Sequence, residues 1–127
     1  MAKKILLVED NQDICDLYKI VFESKGYEIQ ICNNGINAVS MLDTFKPDLV
    51  LLDIMMPFVS GFDFLVNIKK KEDTDVIVVV NSNLSQDSDV EKAKELGADD
   101  YFKKADYTPQ EIVEKVDAML KIKESQS

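Results

Sequence analysis

The residues of this 127-residue chain best suited to chemistry lie directly beyond short apolar runs. They are three acids, a hydroxyl and an ammonium: Glu9, Asp10, Asp53, Ser82 and Lys104. Carboxylates held close together repel one another, so some must bind protons or share a cation. Mg²⁺ prefers oxygen ligands and is commonly held by one or two carboxylates together with phosphate oxygens. The pattern therefore predicts a metal site with Asp10 and Asp53 as ligands and room for a phosphoryl group.

Each of these residues, taken alone, also has a common structural role. An aspartate after a strand often caps the next helix, and Asp10 or Asn11 could cap the helix that follows. A single lysine or serine usually contacts solvent. Capping by Asp53 is awkward because Pro57 follows closely. At matching strand ends, the five residues together favour a shared site.

The elements that must position these residues alternate between strands and helices. Apolar runs at 5–8, 27–32, 49–52, 76–80 and 101–102 predict strands, with segments of helical periodicity between them. The central runs are continuously apolar, as in parallel strands that are covered on both faces. We therefore predict a parallel sheet between two layers of helices, with its ligand site beyond the carboxyl ends of the strands.

The first and last helices have the clearest sequence signals. The first carries its apolar residues on one face and ends at Gly26; these residues are Ile14, Leu17, Tyr18, Val21 and Phe22. The last begins at TPQE, where Thr108 and Glu111 are expected to form a capping box. The residues from 124 to 127 are expected to form a polar tail.

The three middle helices are predicted from weaker stripes. The second begins near Ala38 and stops before Pro47, and the third leads into the lysines at 69–71. The fourth runs from about Ser85 to Gly97, with few apolar residues to bury. Its contact with the sheet should therefore be the weakest.

Composition excludes several classes of function. The chain has 24 acidic against 15 basic residues, a net charge of -9, and no arginine, which disfavours direct binding to nucleic acid. The absence of histidine excludes a phosphohistidine or a histidine metal ligand on this chain. Cys15 and Cys32 lack metal-site spacing and are expected to be reduced and packed. The N-terminal apolar run is too short for a signal peptide or a membrane span, so we expect a cytoplasmic protein without membrane insertion.

The motifs together resemble those of the receiver domains of two-component response regulators. VEDN at 8–11, DIMMPFVSG at 53–61, the serine after the fourth strand and LGADDYFKK at 96–104 occur in the family's order and spacing. The resemblance covers essentially the whole chain, with residues 1–123 as one receiver domain. It implies an α/β, three-layer, doubly wound (flavodoxin-like) fold, with five parallel strands in the order 2-1-3-4-5 and five helices.

The resemblance also implies the site chemistry. Asp53 is expected to accept a phosphoryl group from a sensor histidine kinase or a histidine phosphotransfer protein. Mg²⁺, or Mn²⁺ in its place, is expected on Asp10, Asp53 and the backbone carbonyl of Met55, with Glu9 acting through water. The chain is then a signalling phosphoacceptor that catalyses only its own phosphorylation and slow dephosphorylation, and that switches a surface for a downstream protein.

The remaining roles lie on the last two strands. The resemblance implies that Lys104 pairs with the phosphoryl group, that Ser82 is the switch hydroxyl and that Tyr101 is a rotating aromatic residue. A shift of one residue would exchange Ser82 for Asn81 and Lys104 for Lys103. The spacing to GADDY favours Lys104, since neighbouring strand residues point to opposite faces.

The sequence departs from the family pattern after Lys104. Proline with a cis bond usually follows this lysine, whereas Ala105 follows it here. A cis bond before a non-proline residue costs about 2.5–4 kcal/mol, so we expect a trans bond or a reshaped loop. Met55 and Leu84 are apolar and cannot orient an attacking water, which predicts slow self-dephosphorylation.

Other functions are possible for this pattern. A receiver-like module that is not phosphorylated and only binds a partner would keep the same fold. A nucleotide-binding protein would need a glycine-rich loop where VEDNQD stands, and an aspartate-based phosphatase of the haloacid dehalogenase type would need an aspartate at Met55. The length indicates a stand-alone receiver, and a fragment of a larger regulator or hybrid kinase would look the same.

Overall fold

A computed structural model describes residues 3–33, 38–54, 61–69, 76–82 and 87–126. The strands are β1 (Lys4–Val8), β2 (Glu28–Cys32), β3 (Leu49–Leu52), β4 (Ile77–Ser82) and β5 (Asp100–Lys103). The helices are α1 (Gln12–Ser24), α2 (Ala38–Phe45), α3 (Gly61–Lys69), α4 (Asp87–Glu95) and α5 (Pro109–Gln126), with a short 3-10 helix at Lys104–Asp106. Within these ranges, no helix is long and apolar enough to span a membrane.

The five strands form one parallel sheet in the order β2-β1-β3-β4-β5, which confirms the predicted fold. The central strand β3 is buried along its whole length. It pairs with β1 on one side, where Val8 lies opposite Leu52, and with β4 on the other, where Leu52 lies opposite Val80. This register aligns the carboxyl ends of the three strands that lead into the predicted site.

Alternate residues of the central strands enter two separate apolar layers. Leu6 and Val8 pack on the side covered by α2, α3 and α4, whereas Ile5 and Leu7 pack on the side covered by α1 and α5. This alternation is the ordinary geometry of a strand whose two faces are both covered. It explains why the strand sequences are continuously apolar.

The end of α1 agrees with its sequence signal. Gly26 has a φ of 87°, a conformation in which a residue with a side chain is strained, and its N–H donates to the carbonyl of Glu23. The N–H of Tyr27 donates to the carbonyl of Phe22, which completes a Schellman motif. The chain thereby turns directly from α1 into β2.

The prediction that Leu17 belongs to the apolar face of α1 is wrong, because 51% of this residue is exposed. The residues of α1 that are buried are Cys15, Tyr18 and Phe22. They define a narrower stripe than the sequence suggested, and Leu17 lies about 100° around the helix from Tyr18. Apolar character alone could not separate the edge of the stripe from its centre.

Two aspartates form hydrogen bonds with the backbone near the amino ends of neighbouring strands. The sequence analysis did not single them out. Asp48 accepts a hydrogen bond from the backbone N–H of Lys4 at 2.8 Å, and its own N–H donates to the carbonyl of Lys4 at 2.8 Å. Asp99 makes the same two contacts with Val78, at 2.8 Å through its side chain and 2.7 Å through its N–H. Both side chains satisfy backbone groups at the amino edge of the sheet.

Several predicted boundaries differ from the observed ones. β4 continues to Ser82 and α5 continues to Gln126, so the helix includes residues assigned to the polar tail. The predicted start of the fourth helix at Ser85 and the lysines at 70 and 71 lie outside the described residues. Cys15 and Cys32 are both buried and form no disulfide, as predicted.

The observed capping box at the start of α5 supports a stability prediction. Thr108 Oγ1 accepts from the N–H of Glu111 at 3.2 Å, and Glu111 Oε1 accepts from the N–H of Thr108 at 3.0 Å. Thr108→Ala is expected to lower the free energy of unfolding in urea by about 1 kcal/mol. Gln110→Ala, on the same exposed turn, is the control and should change it by less than about 0.5 kcal/mol. Equal effects of the two substitutions would contradict the capping role.

Candidate functional site

Three carboxylates meet at the carboxyl edge of the sheet. Glu9 and Asp10 follow β1 and Asp53 follows β3, and these two strands are neighbours. Each of the three residues offers one oxygen, and these oxygens all lie within 4.8 Å of one another. The spacing brings together the acids that the sequence places at separate strand ends, and it is close enough for them to share one cation.

Backbone hydrogen bonds fix the two buried acids. The N–H of Asp53 donates to the carbonyl of Val8 at 2.9 Å, and the N–H of Glu9 donates to the carbonyl of Cys32 at 3.1 Å. Only 2% of Glu9 and 7% of Asp53 are exposed, whereas Asp10 is exposed to solvent. The carboxylates therefore sit on extensions of the parallel ladder.

Further contacts hold the loop between β1 and α1. Glu9 Oε2 accepts from the N–H groups of Asp10 at 3.0 Å and Asn11 at 3.4 Å. Asn11, one of the two predicted alternatives, is the N-cap of α1, and its side chain accepts from the N–H of Ile14 at 3.2 Å. Because Asn11 satisfies the helix end, Asp10 remains available for a ligand.

Lys104 reaches this acidic cluster from the end of β5. Its Nζ lies 2.8 Å from Asp53 Oδ2 and also forms an ion pair with Glu9 Oε1. Only 13% of the Lys104 side chain is exposed, so little solvent screens these ion pairs. Lys103, the alternative from the sequence, pairs with Ser82 in the sheet.

The electrostatics of this cluster separate Glu9 from Lys104. Burial raises the pKa of Glu9 from 4.5 to about 7, and repulsion from Asp53 adds to this effect while Lys104 opposes it. Burial alone would lower the pKa of Lys104, but hydrogen bonds to Asp53 and Glu9 outweigh it and raise that pKa. Lys104 is therefore a cation at neutral pH, whereas the carboxyl group of Glu9 titrates near neutral pH.

The hydroxyl and the aromatic residue predicted for the switch lie close together on the paired strands β4 and β5. Ser82 is fully buried at the end of β4, and 9% of Tyr101 is exposed on β5. A hydrogen bond joins the two side chains. Burial raises the pKa of Tyr101 and the bond to Ser82 lowers it, with a net upward shift.

A buried polar contact on the other side of β4 was missed by the sequence analysis. Asn81 Nδ2 donates to Tyr18 Oη at 2.7 Å, and it links β4 to α1 within an otherwise apolar layer. Burial, together with the charges of Glu9 and Asp53, raises the pKa of Tyr18 to about 12, so its hydroxyl stays protonated. The signal in the sequence is an amide at the end of the run VIVVV.

The segment after Lys104 confirms the expected change of conformation. The bond to Ala105 is trans, since the described residues contain no cis peptide bond. Lys104, Ala105 and Asp106 form a 3-10 helix, and Tyr107 follows it in an extended conformation. Met55 and Leu84, predicted to flank the site, lie outside the described residues.

Comparison with known proteins identifies the family. The sequence model of the response regulator receiver domain family matches residues 5–117, and the chain therefore belongs to this family. Receiver domains are signalling domains that work with histidine kinases and downstream effectors in two-component systems, and they typically bind Mg²⁺ at acidic residues.

Two kinds of relative support this assignment. Response regulator SaeR of Staphylococcus aureus is 37% identical over 116 residues, which are 91% of this chain and 50% of that protein. The chain thus spans about half the length of the curated relatives it matches. The BeF3-activated N-terminal receiver domain of Klebsiella pneumoniae RstA is 26% identical, with a TM-score of 0.83, over 91% of this chain and 97% of that one. A CheY-like receiver domain protein from Methanospirillum hungatei JF-1 has a TM-score of 0.89 over the full length of both chains, and at 24% identity it supports the fold alone.

The raised pKa of Glu9 predicts how Glu9→Gln changes stability in metal-free protein. The folded wild type holds this proton up to about pH 7, whereas the unfolded chain releases it near 4.5. Ionisation therefore costs the wild type stability as the pH rises through this window. The variant has no proton to lose at this position. As the pH rises, its free energy of unfolding should therefore increase relative to that of wild type by up to about 3 kcal/mol, and the difference should stay constant above about pH 7. Urea unfolding with EDTA from about pH 5 to about pH 8 measures this difference, and a constant difference would contradict it.

Proposed function

We propose that this chain takes a phosphoryl group onto Asp53 from a sensor histidine kinase or a histidine phosphotransfer protein, in a Mg²⁺-dependent reaction. The observation that carries the proposal is the 2.8 Å contact between Lys104 Nζ and Asp53 Oδ2 beside two further carboxylates. Phosphorylation then changes a surface that binds a downstream protein. The receiver domain that does this is proposed to span residues 1–123.

Asp53 is proposed as the nucleophile. One of its carboxylate oxygens attacks the phosphorus in line, an O–P bond forms, and the bond between phosphorus and the donor nitrogen breaks. The donor imidazole keeps the electron pair of the broken bond and takes up a proton, and an acyl phosphate remains on Asp53. Because these 127 residues contain no histidine, the phosphohistidine must lie outside them.

Lys104 supplies the fixed positive charge for this reaction. Its ammonium already contacts Asp53, and its raised pKa keeps it charged. Negative charge is spread over the phosphoryl oxygens in the transition state, and a positioned cation stabilises it. The proposed contribution of the chain is therefore orientation and electrostatics, with little covalent chemistry beyond Asp53.

The acidic cluster fits a divalent ion. Its oxygens belong to three residues, two of them buried, and Lys104 forms ion pairs with those two. Asp10 and Asp53 would hold Mg²⁺, or Mn²⁺, together with the carbonyl of Met55, and Glu9 would act through water. When bound, the ion offsets negative charge on the carboxylates and the phosphoryl oxygens.

The proposed switch needs more than one new contact. A phosphoryl group adds roughly 1.5 to 2 negative charges, which a hydroxyl and an ammonium can meet. A charge-assisted hydrogen bond from Ser82 would contribute about 1.5–3 kcal/mol. Inverting a population from about 1:99 to about 99:1 requires about 5.5 kcal/mol. The bond between Ser82 and Tyr101 would have to break or adjust, so repacking of Tyr101 and a new contact from Lys104 would supply the rest.

The first test is phosphorylation with a small donor. With Mg²⁺ and acetyl phosphate, the protein should gain one phosphoryl group, measured by intact mass. Asp53→Asn and a sample with excess EDTA should gain none, because each lacks a required oxygen or ion. Asp10→Asn should slow labelling without removing the acceptor.

The control for this test is a second receiver domain labelled in the same buffer. Labelling of that control without labelling of this chain would reject the proposal, and it would favour a receiver-like module that only binds its partner. Labelling of Asp53→Asn would assign the acceptor to another residue. A phosphoryl group that requires Asp53 and Mg²⁺ would support both the acceptor and the metal.

Loss of the phosphoryl group is expected to be slow. The side chains of Met55 and Leu84 carry no amide, hydroxyl or carboxylate that could orient water, so hydrolysis relies on the metal and bulk solvent. After removal of acetyl phosphate, the phosphorylated fraction followed by intact mass should fall over minutes or longer. Leu84→Gln introduces an amide that can orient water and should shorten the half-life. A wild-type half-life of seconds would contradict this expectation.

A further inference from the structure

Lys104 depends on a turn that has little support of its own. Lys104 to Asp106 form a 3-10 helix in which no residue is buried, and Ala105 and Asp106 are exposed. The residue before it, Lys103, makes no side-chain capping hydrogen bond. The ammonium of Lys104 nevertheless has to stay 2.8 Å from Asp53 Oδ2, at the end of a flexible four-carbon chain.

Tyr107 anchors the far end of this turn. Its N–H donates to the carbonyl of Lys104 at 3.4 Å. Its ring meets Phe102 of β5 in an edge-to-face contact, with centroids 5.7 Å apart and planes at 65°. Phe102 is buried in the layer beneath α5, and Tyr107 packs against the same layer. The turn that carries Lys104 is thus held between two aromatic residues in contact with each other.

A lysine on α5 lies near both of these aromatic rings. Lys115 Nζ lies 4.9 Å from the ring centroid of Tyr107 and 5.6 Å from that of Phe102. Both distances fall within the range in which a cation is attracted to an aromatic face. The turn is therefore fixed to β5 through Phe102 and to α5 through Lys115.

We propose that Tyr107 is a positioning residue that acts through Lys104 in phosphoryl transfer to Asp53; this inference rests on the proposed function. The aromatic contacts of Tyr107 hold the trans turn in place, at a point in the chain where the family usually has proline. Without the ring, the turn samples other conformations and the Lys104 ammonium leaves Asp53 for part of the time. Misplacing a catalytic group by about 1 Å can slow a reaction on the order of a hundredfold.

The test compares Tyr107→Ala and Tyr107→Phe in two backgrounds, wild type and Lys104→Ala. Initial rates of labelling by acetyl phosphate with Mg²⁺ are measured by intact mass, at a temperature where melting curves show each variant folded. Tyr107→Ala should slow labelling on the order of tenfold in the wild-type background. It should have no effect in the Lys104→Ala background, where labelling is followed for longer. Tyr107→Phe keeps the ring and should label like wild type.

A second measurement does not need phosphoryl transfer. In protein carrying ¹⁵N-labelled lysine, the Lys104 ammonium should give a distinct signal, assigned by its loss in Lys104→Ala, because its hydrogen bonds to Asp53 and Glu9 slow proton exchange. Tyr107→Ala should broaden or remove this signal, and Tyr107→Phe should retain it. This readout remains valid if wild-type protein accepts no phosphoryl group, so failure of the proposed function is separable from failure of the inference.

Two results would overturn the positioning role. The first is an equal loss of rate from Tyr107→Ala in both backgrounds, which would mean that the ring acts without Lys104. The second is an unchanged Lys104 signal in Tyr107→Ala, which would mean that the turn holds its position unaided. Loss of rate confined to the wild-type background, together with loss of the signal, would establish the role.

Discussion

Repulsion between like charges at one edge of the sheet is the constraint on which the rest of the structure depends. Parallel strands end at the same edge, and β1 and β3 bring Glu9, Asp10 and Asp53 within 4.8 Å of one another. Lys104 answers that repulsion from the end of β5, through ion pairs with two of the acids. Burying these charges without partners would cost free energy. The order of the strands and the turn after β5 bring Lys104 to the acids, and the same contact affects the ionisation of Glu9.

Much of the architecture follows from local sequence patterns. Continuous apolar runs indicate strands that are covered on both faces, and alternation with helical segments indicates a parallel sheet. Parallel strands then place their carboxyl ends together, which is why the sequence alone predicts that the acids meet. The cap at Thr108 could also be predicted, and the cap of α1 could be narrowed to Asp10 or Asn11, because a helix end has unsatisfied N–H groups that only a few side chains can accept.

The features that could not be predicted depend on contacts between distant parts of the chain. Leu17 has the apolar character of a core residue, yet it is exposed because it lies about 100° around α1 from the buried Tyr18. Asp48 and Asp99 look like loop acids, yet each satisfies a backbone N–H of a neighbouring segment. The support of Lys104 by Tyr107 needs Phe102 and Lys115 in place, and spacing along the sequence does not indicate that aromatic contact.

The hydrogen bond between Asn81 and Tyr18 has a consequence for the uniqueness of the packing. Apolar side chains tolerate small shifts of a helix over a sheet, because contact area changes little with sliding. A 2.7 Å hydrogen bond in the buried layer has a preferred length and direction, so it selects one position of α1 relative to β4. The hydrogen bond between the amide and the phenol thus fixes the position of α1 at this point. Because of it, α1 can tilt about the hydrogen bond more easily than it can slide along the sheet, and α1 starts beside the carboxylates.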